Sequence, residues 1–237
     1  MPLNVALQLY TIRDAIGHDF LNGLSRVSDI GFRNVEFAGF GDATAAQAGN
    51  KLDELGMHAV GAHVPLSVLD DPGPVIDDLA EIKCTHATLP WVPEPMRADW
   101  VETARRLDAT AEMLLDNGIE FAYHNHAFEF ENGGYETLTS AARTTKFQLD
   151  VFWVEKAGEN AIDWIGRLGK RLSSLHCKDL GSDGEDIEIG DGILDWPAII
   201  RTSREAGVTT LIIEMDTPRM EPLQCAKACL EGLIRFL

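Results

Sequence analysis

Short apolar runs alternate with amphipathic stretches from one end of the chain to the other. The apolar runs, bounded by turn residues, predict strands over 3–10, 34–38, 58–63, 87–91, 120–125, 147–151, 173–177 and 211–215. Between them apolar residues recur at helical spacing, as over 100–117 and 196–206. Several helices close on a glycine, as in Glu54-Leu55-Gly56-Met57 and Ala206-Gly207-Val208. Glycine adopts the left-handed cap cheaply, so the next strand can start at once. Eight strands alternating with helices predict a parallel sheet covered by helices. That count, with a length of 237 residues, predicts one (β/α)8 barrel of class α/β spanning 1–237, since such barrels take ~250 residues. An open doubly wound sheet is the structural alternative. The Pro-rich piece 89–95 and the acidic, glycine-rich stretch 181–192 read as loops after strands four and seven, the second lying over the barrel mouth.

Alternate residues of a strand face the same side, so residues of one parity share the barrel interior. That parity sends Gln8 and Tyr10, Glu36, His63, His124 and His126, Gln148 and Asp150, His176 and Lys178, and Glu214 inward, near the carboxyl ends of their strands. The residues between them, such as Val35, Leu149, Leu175 and Ile213, are apolar. A structural core does not concentrate charge in this way, because each buried ion costs several kcal/mol unless paired or bound to metal. In this fold the carboxyl ends of the strands form the active face.

Taken singly, these residues have ordinary readings. Asp150 ends an apolar strand and would serve as a helix cap, His176 as a satisfied core histidine, and Glu214 as half of a buried salt bridge. Three such groups on consecutive strands point instead to one divalent ion held by Asp150, His176 and Glu214. Mixed carboxylate and imidazole ligands suit Mn, Fe, Co or Zn better than Mg. His124 and His126, in Tyr123-His124-Asn125-His126, share a face, so one can ligate and the other can meet substrate. Lys178 is read as holding a substrate oxygen or stabilising a developing enolate. Glu36 is read as a general base approaching from the opposite side of the mouth, with His126 or His63 as the substitute. Gln8, His63, Trp91, Phe128 and Trp153 are assigned to substrate binding, the aromatics as apolar walls.

Composition narrows the partners. The formal net charge of −18 opposes binding to phosphate backbones, so nucleic acid is excluded as a partner. No apolar run reaches the ~18–20 residues needed to span a bilayer, and Met1-Pro2-Leu3-Asn4-Val5-Ala6-Leu7 lacks the basic and apolar segments of a signal peptide. A cytoplasmic protein without membrane contact is expected, and self-association stays open. Cys84, Cys177, Cys225 and Cys229 form no CxxC pair and read as buried thiols.

These strings, taken in order, resemble the xylose isomerase-like TIM-barrel superfamily, in its sugar phosphate isomerase/epimerase branch. The resemblance rests on Leu7-Gln8-Leu9-Tyr10-Thr11-Ile12-Arg13, Gly31-Phe32-Arg33-Asn34-Val35-Glu36 and Tyr123-His124-Asn125-His126. It continues through Leu149-Asp150-Val151-Phe152-Trp153, His176-Cys177-Lys178-Asp179, Gly190-Asp191-Gly192-Ile193-Leu194-Asp195-Trp196 and Ile213-Glu214. It implies one divalent ion held by Glu, Asp, His and Glu from strands five to eight. The last three map to Asp150, His176 and Glu214. The first is His124 here, with Glu129 from the following loop as the other candidate for that position. The implied chemistry is isomerisation or epimerisation beside the carbonyl of a small sugar or polyol. Dehydration of a keto-polyol or 3-keto-sugar is the close alternative, since inosose dehydratases carry a similar His-rich string. An abasic-site DNA endonuclease of the same fold is disfavoured by the charge.

Overall fold

The computed structural model describes residues 3–237; the first two residues of the amino-terminal string lie outside it. Eight parallel strands close into a barrel: β1 (Asn4–Gln8), β2 (Asn34–Phe37), β3 (His58–His63), β4 (His86–Leu89), β5 (Glu120–His124), β6 (Lys146–Asp150), β7 (Leu172–Cys177) and β8 (Thr210–Ile213). Each strand pairs with its sequence neighbours, and β1 closes on β8 with Asn4 opposite Thr210. The closed ring rules out the open sheet. All eight expected strands are present, with ends shifted by a residue or two. At β1, Leu9–Ile12 leaves the sheet as a 3-10 turn, capped by the Gln8 side chain, which accepts from Tyr10 N.

The outward face of the strands packs under the helices. Leu7, Val35, Leu149, Leu175 and Ile213 are fully buried there. The helix Ala45–Leu55 shows how such a layer is delimited. Thr44 and Gln47 form a reciprocal capping box at its start, and Gly56 takes a left-handed φ of 62° at its end. All four cysteines are buried and unpaired.

The inward face is polar. Gln8 pairs with Glu36 across β1 and β2, and Glu36 with Gly61 across β2 and β3. A Cβ at position 61 would stand 2.7 Å from Glu36 Oε1. The glycine is therefore what leaves room for a carboxylate in the barrel axis. Loop 181–192 begins inside a small hairpin, Asp179–Leu180 against Asp186–Ile187. Asp186 docks it beside the end of β8 by accepting from Asp216 N and Thr217 N.

Candidate metal centre

Four potential ligand groups converge at the carboxyl ends of β5 to β8. One atom each from His124, Asp150, His176 and Glu214 lies within 4.8 Å of all the others, and all four residues are buried. Asp150 combines its two readings. Its Oδ1 accepts from Phe152 N and Trp153 N and so caps the helix Val151–Lys156. Its Oδ2 is buried and receives no hydrogen bond. Lys178 Nζ lies 3.0 Å from Oδ2, but only the 2.7 Å contact to Asp216 Oδ2 has hydrogen-bond alignment. The Lys178 ammonium offsets the charge of this oxygen without donating to it, so Oδ2 keeps lone pairs free for a further cation.

The histidines are oriented by groups beneath them. Gln148 Oε1 faces His124 Nδ1 at 3.0 Å and His63 Nε2 at 2.8 Å. Since Gln148 Nε2 donates to Glu36 Oε1 and Ser174 Oγ, Oε1 is the acceptor. His124 therefore carries its proton on Nδ1, and Nε2 faces Asp150 Oδ2 at 3.8 Å with a free lone pair. His176 Nε2 lies 2.6 Å from Glu36 Oε2, and its Nδ1 lies 2.9 Å from Glu214 Oε2. A carboxylate holding the far nitrogen of a ligating imidazole is the usual support of a metal centre. The residues present fit a divalent ion by donor set, by proximity and by the orphaned oxygen.

Charge at the centre is unevenly shared. Burial keeps His124 well below its ordinary pKa, with His176 and His126 adding to the effect. Burial also opposes a charge on His176, but Glu36 and Glu214 outweigh it and raise its pKa to about 10. Burial raises Asp150 to about 6 against the pull of Lys178. Glu214 is held well below the carboxylate range because Lys178 and His176 overcome its burial. Burial disfavours the Lys178 ammonium, yet Asp150, Glu214 and Asp216 hold its pKa well above the usual value.

Above the centre opens a cavity of about 640 Å³, lined at its polar end by His63, His124, His126, Glu214 and Asp216. His126 stacks on Phe128 with rings 10° from parallel, and its Nδ1 is buried without a partner. Burial holds His126 down to about 3, so its imidazole is neutral.

Several assignments move. Gln8 and Glu36 were expected to face substrate, but both are fully buried below the centre and line no part of this cavity. Gln8 Nε2 donates to Glu36 Oε2 at 2.7 Å, and Glu36 is spent on Gln8, Gln148 and His176. Glu129 does not join the centre. It lies behind β5, where it accepts from Tyr123 Oη and His126 N. Lys178 sits among three carboxylates rather than in open cavity. Of the aromatic walls, Trp91 lines the cavity. Phe128 stands behind His126 with the Arg97 guanidinium 3.5 Å over its ring. Trp153 lies 5.4 Å from the His126 ring, with a buried and unpartnered Nε1. Gln148, Ser174 and Asp216 had no role in the sequence reading. The inward parity of Gln148 and the i+2 spacing of Asp216 from Glu214 were the available signals.

A family model described as Xylose isomerase-like TIM barrel matches residues 24–233. The Rhizopine catabolism protein MocC of Rhizobium meliloti is 23% identical over 162 residues, covering 58% of this chain and 50% of that protein. The chain thus spans about half the length of that curated relative. A sugar phosphate isomerase/epimerase from Parabacteroides distasonis superposes with a TM-score of 0.88 at 20% identity, covering 100% of this chain and 96% of the other. The probable 3-DHS dehydratase AsbF of Bacillus anthracis superposes with a TM-score of 0.75 at 13% identity, over 97% and 98% of the two chains. At these identities the structural likeness speaks for the fold.

Proposed function

This chain belongs to the xylose isomerase-like TIM barrel family, and from that premise we propose a divalent-metal-dependent isomerase or epimerase acting beside the carbonyl of a small sugar or polyol. The observation that carries the proposal is the orphaned Asp150 Oδ2 within the buried quartet of His124, Asp150, His176 and Glu214. Mn, Co, Fe or Zn is the expected ion, with Mg a weaker fit to two imidazoles. When bound, such an ion polarises a carbonyl and stabilises the negative charge that develops on it.

The chain's own groups then have separate tasks. Gln148 fixes the His124 tautomer, and Glu36 holds the Nε2 side of His176. Lys178 neutralises Asp150, Glu214 and Asp216, which keeps three close carboxylates ionised together. His126 lines the cavity, and its neutral imidazole takes the proton next to the carbonyl. An imidazole with a pKa of about 3 is a weak base, so it acts only on a proton strongly acidified by its neighbours. His63 is its substitute. Return of the proton gives isomerisation or epimerisation.

Loss of a β-hydroxyl in place of proton return gives dehydration. One observation favours this second reading. Strand β5 supplies imidazole where the resemblance leads one to expect a carboxylate, and Glu129 does not replace it. That removes an acid/base group which two-sided proton transfer would use.

Metal analysis of purified protein, followed by turnover of ketoses, inososes and 3-keto-sugars in deuterated water with Mn or Co, tests the proposal. Deuterium at the carbon beside the carbonyl, lost on chelation and reduced in His126→Asn, is the expected product signature. Full turnover after verified metal removal refutes it.

A further inference from the structure

We propose that the substrate of this site is uncharged and bears an apolar substituent of aromatic size, and that phosphorylated sugars are poor ligands. The inference rests on the reading of the cavity as a substrate site and names the class of substrate. Two independent observations carry it.

The first is how the cavity is divided. Away from His124 and Glu214 its wall is made by Phe37, Phe40, Val64, Val75 and Leu79, continuous with the polar end. The half-buried Phe40 ring is backed by the buried Phe37 ring, 5.3 Å away at 45°, and carries the aromatic face on this side. Tyr10 and Trp91, 43% and 46% exposed, stand at the rim of the same arm. Phe37, Val64, Val75 and Leu79 are already buried by the fold, but a bare polyol would leave the accessible faces of Phe40, Tyr10 and Trp91 in water. An apolar substituent beside the polyol end covers them, at a gain of roughly 25 cal/mol per Å².

The second is the absence of any means to hold a phosphate. Among the described residues lining this cavity there is no lysine or arginine, while Asp78, Glu214 and Asp216 are acidic. The nearby cations are committed. Lys178 is shared by three carboxylates. Arg13 lies 4.1 Å over the Tyr10 ring and donates to the carbonyls of Tyr10 and Asp216. Barrels of this kind often bind phosphate through backbone amides of the loops after strands seven and eight. Here those amides serve internal carboxylates. After β7, Asp179 accepts from the backbone N–H of Leu180, Gly190, Gly192 and Leu194. After β8, Asp186 accepts from Asp216 N and Thr217 N. The two loops are therefore filled by aspartate where a phosphate would need bare N–H groups.

Equilibrium binding to the full chain tests this, by calorimetry with and without Mn. The probes are phenyl and methyl glycosides of glucose, galactose and mannose, with the free sugars and their 6-phosphates. Each phenyl glycoside that binds should do so at least about tenfold more tightly than its methyl counterpart. No 6-phosphate should bind more tightly than its free sugar. Phe40→Ser and Trp91→Ala, checked for folding by circular dichroism, should each shrink the phenyl advantage several-fold. Equal affinity of phenyl and methyl glycosides, no saturable binding by any phenyl glycoside, or a phosphate that outbinds its parent sugar overturns the inference. The glycoside ratio is read with and without Mn, and Mn binding is titrated separately. Loss of the ion reading and loss of the substrate reading are thus distinguishable.

Discussion

Replacing Glu36 by glutamine should weaken ion binding, because Glu36 holds His176, a proposed ligand, and lies below the cavity. Its Oε2 lies 2.6 Å from His176 Nε2 and accepts from Gln8 Nε2 at 2.7 Å, while Oε1 accepts from Gln148 Nε2 at 2.7 Å. Every neighbour points a donor at the carboxylate, so an amide must turn its NH2 group toward one of them. If Gln148 flips to compensate, its Oε1 abandons His124 and His63. The charge is lost as well. The rise of the His176 pKa from 6.5 to about 10 corresponds to about 5 kcal/mol at 1.36 kcal/mol per pH unit, supplied by Glu36 and Glu214 together against burial. Losing one of the two should cost the metal-free protein about 3 kcal/mol, the scale for breaking a buried pair. Because the folded pKa is the higher one, this stabilisation is complete below pH 6.5 and is lost as pH rises through about 10. Urea unfolding in chelator should therefore show a gap between wild type and Glu36→Gln that narrows in alkali. Titration with Mn or Co should show an affinity about 10 to 100-fold weaker, as for loss of a group supporting a ligand. Unchanged ion affinity with turnover lost would refute the positioning role and return Glu36 to proton transfer.

Lys178→Met strips Asp150, Glu214 and Asp216 of their shared ammonium and should cost the metal-free protein about 3–5 kcal/mol. The rise in Tm on adding Mn should then be larger in the variant than in wild type, and equal rises would count against this arrangement. Asp179→Ala removes the acceptor of four backbone N–H groups and of Trp196 Nε1. It should lower stability by several kcal/mol, at about 1–3 kcal/mol per buried donor left unpaired, and urea midpoints within error of wild type would contradict it. Burial raises Glu129 to about 7 against its hydrogen bonds from Tyr123 and His126. The folded state thus holds a proton that the unfolded state releases near 4.5, so wild-type stability should fall as pH rises from about 4.5 through 7, by about 3 kcal/mol from this group. In Glu129→Gln that slope should vanish, and identical pH–stability curves would show that Glu129 ionises freely.

Parity made the inward row legible, because a strand offers only two faces and the outward one is plainly apolar. Depth along the barrel axis was not legible. Closing a barrel requires tilted, staggered strands, so equal offsets from strand ends are not equal heights. Gln8, Glu36 and Gln148 point inward as parity requires, yet they form the layer beneath the His124, Asp150, His176 and Glu214 cluster and line no part of the cavity above. Register settles this, and register is a pairing between distant segments. Gly61 illustrates the cost of not knowing it. Opposite Glu36 it is the space that admits a carboxylate, but in the string Ala59-Val60-Gly61-Ala62 it is only a small residue in a strand. Loop residues escaped for a different reason. The period-two rule stops at the strand end, so Phe128 and Glu129, both read as facing the site, turn behind His126 and β5. Asp150 shows that two readings of one residue need not compete. A carboxylate has two oxygens, and here one caps a helix while the other is left facing the ligands. The cap fixes the side-chain rotamer, and a fixed rotamer is what a preorganised ligand requires.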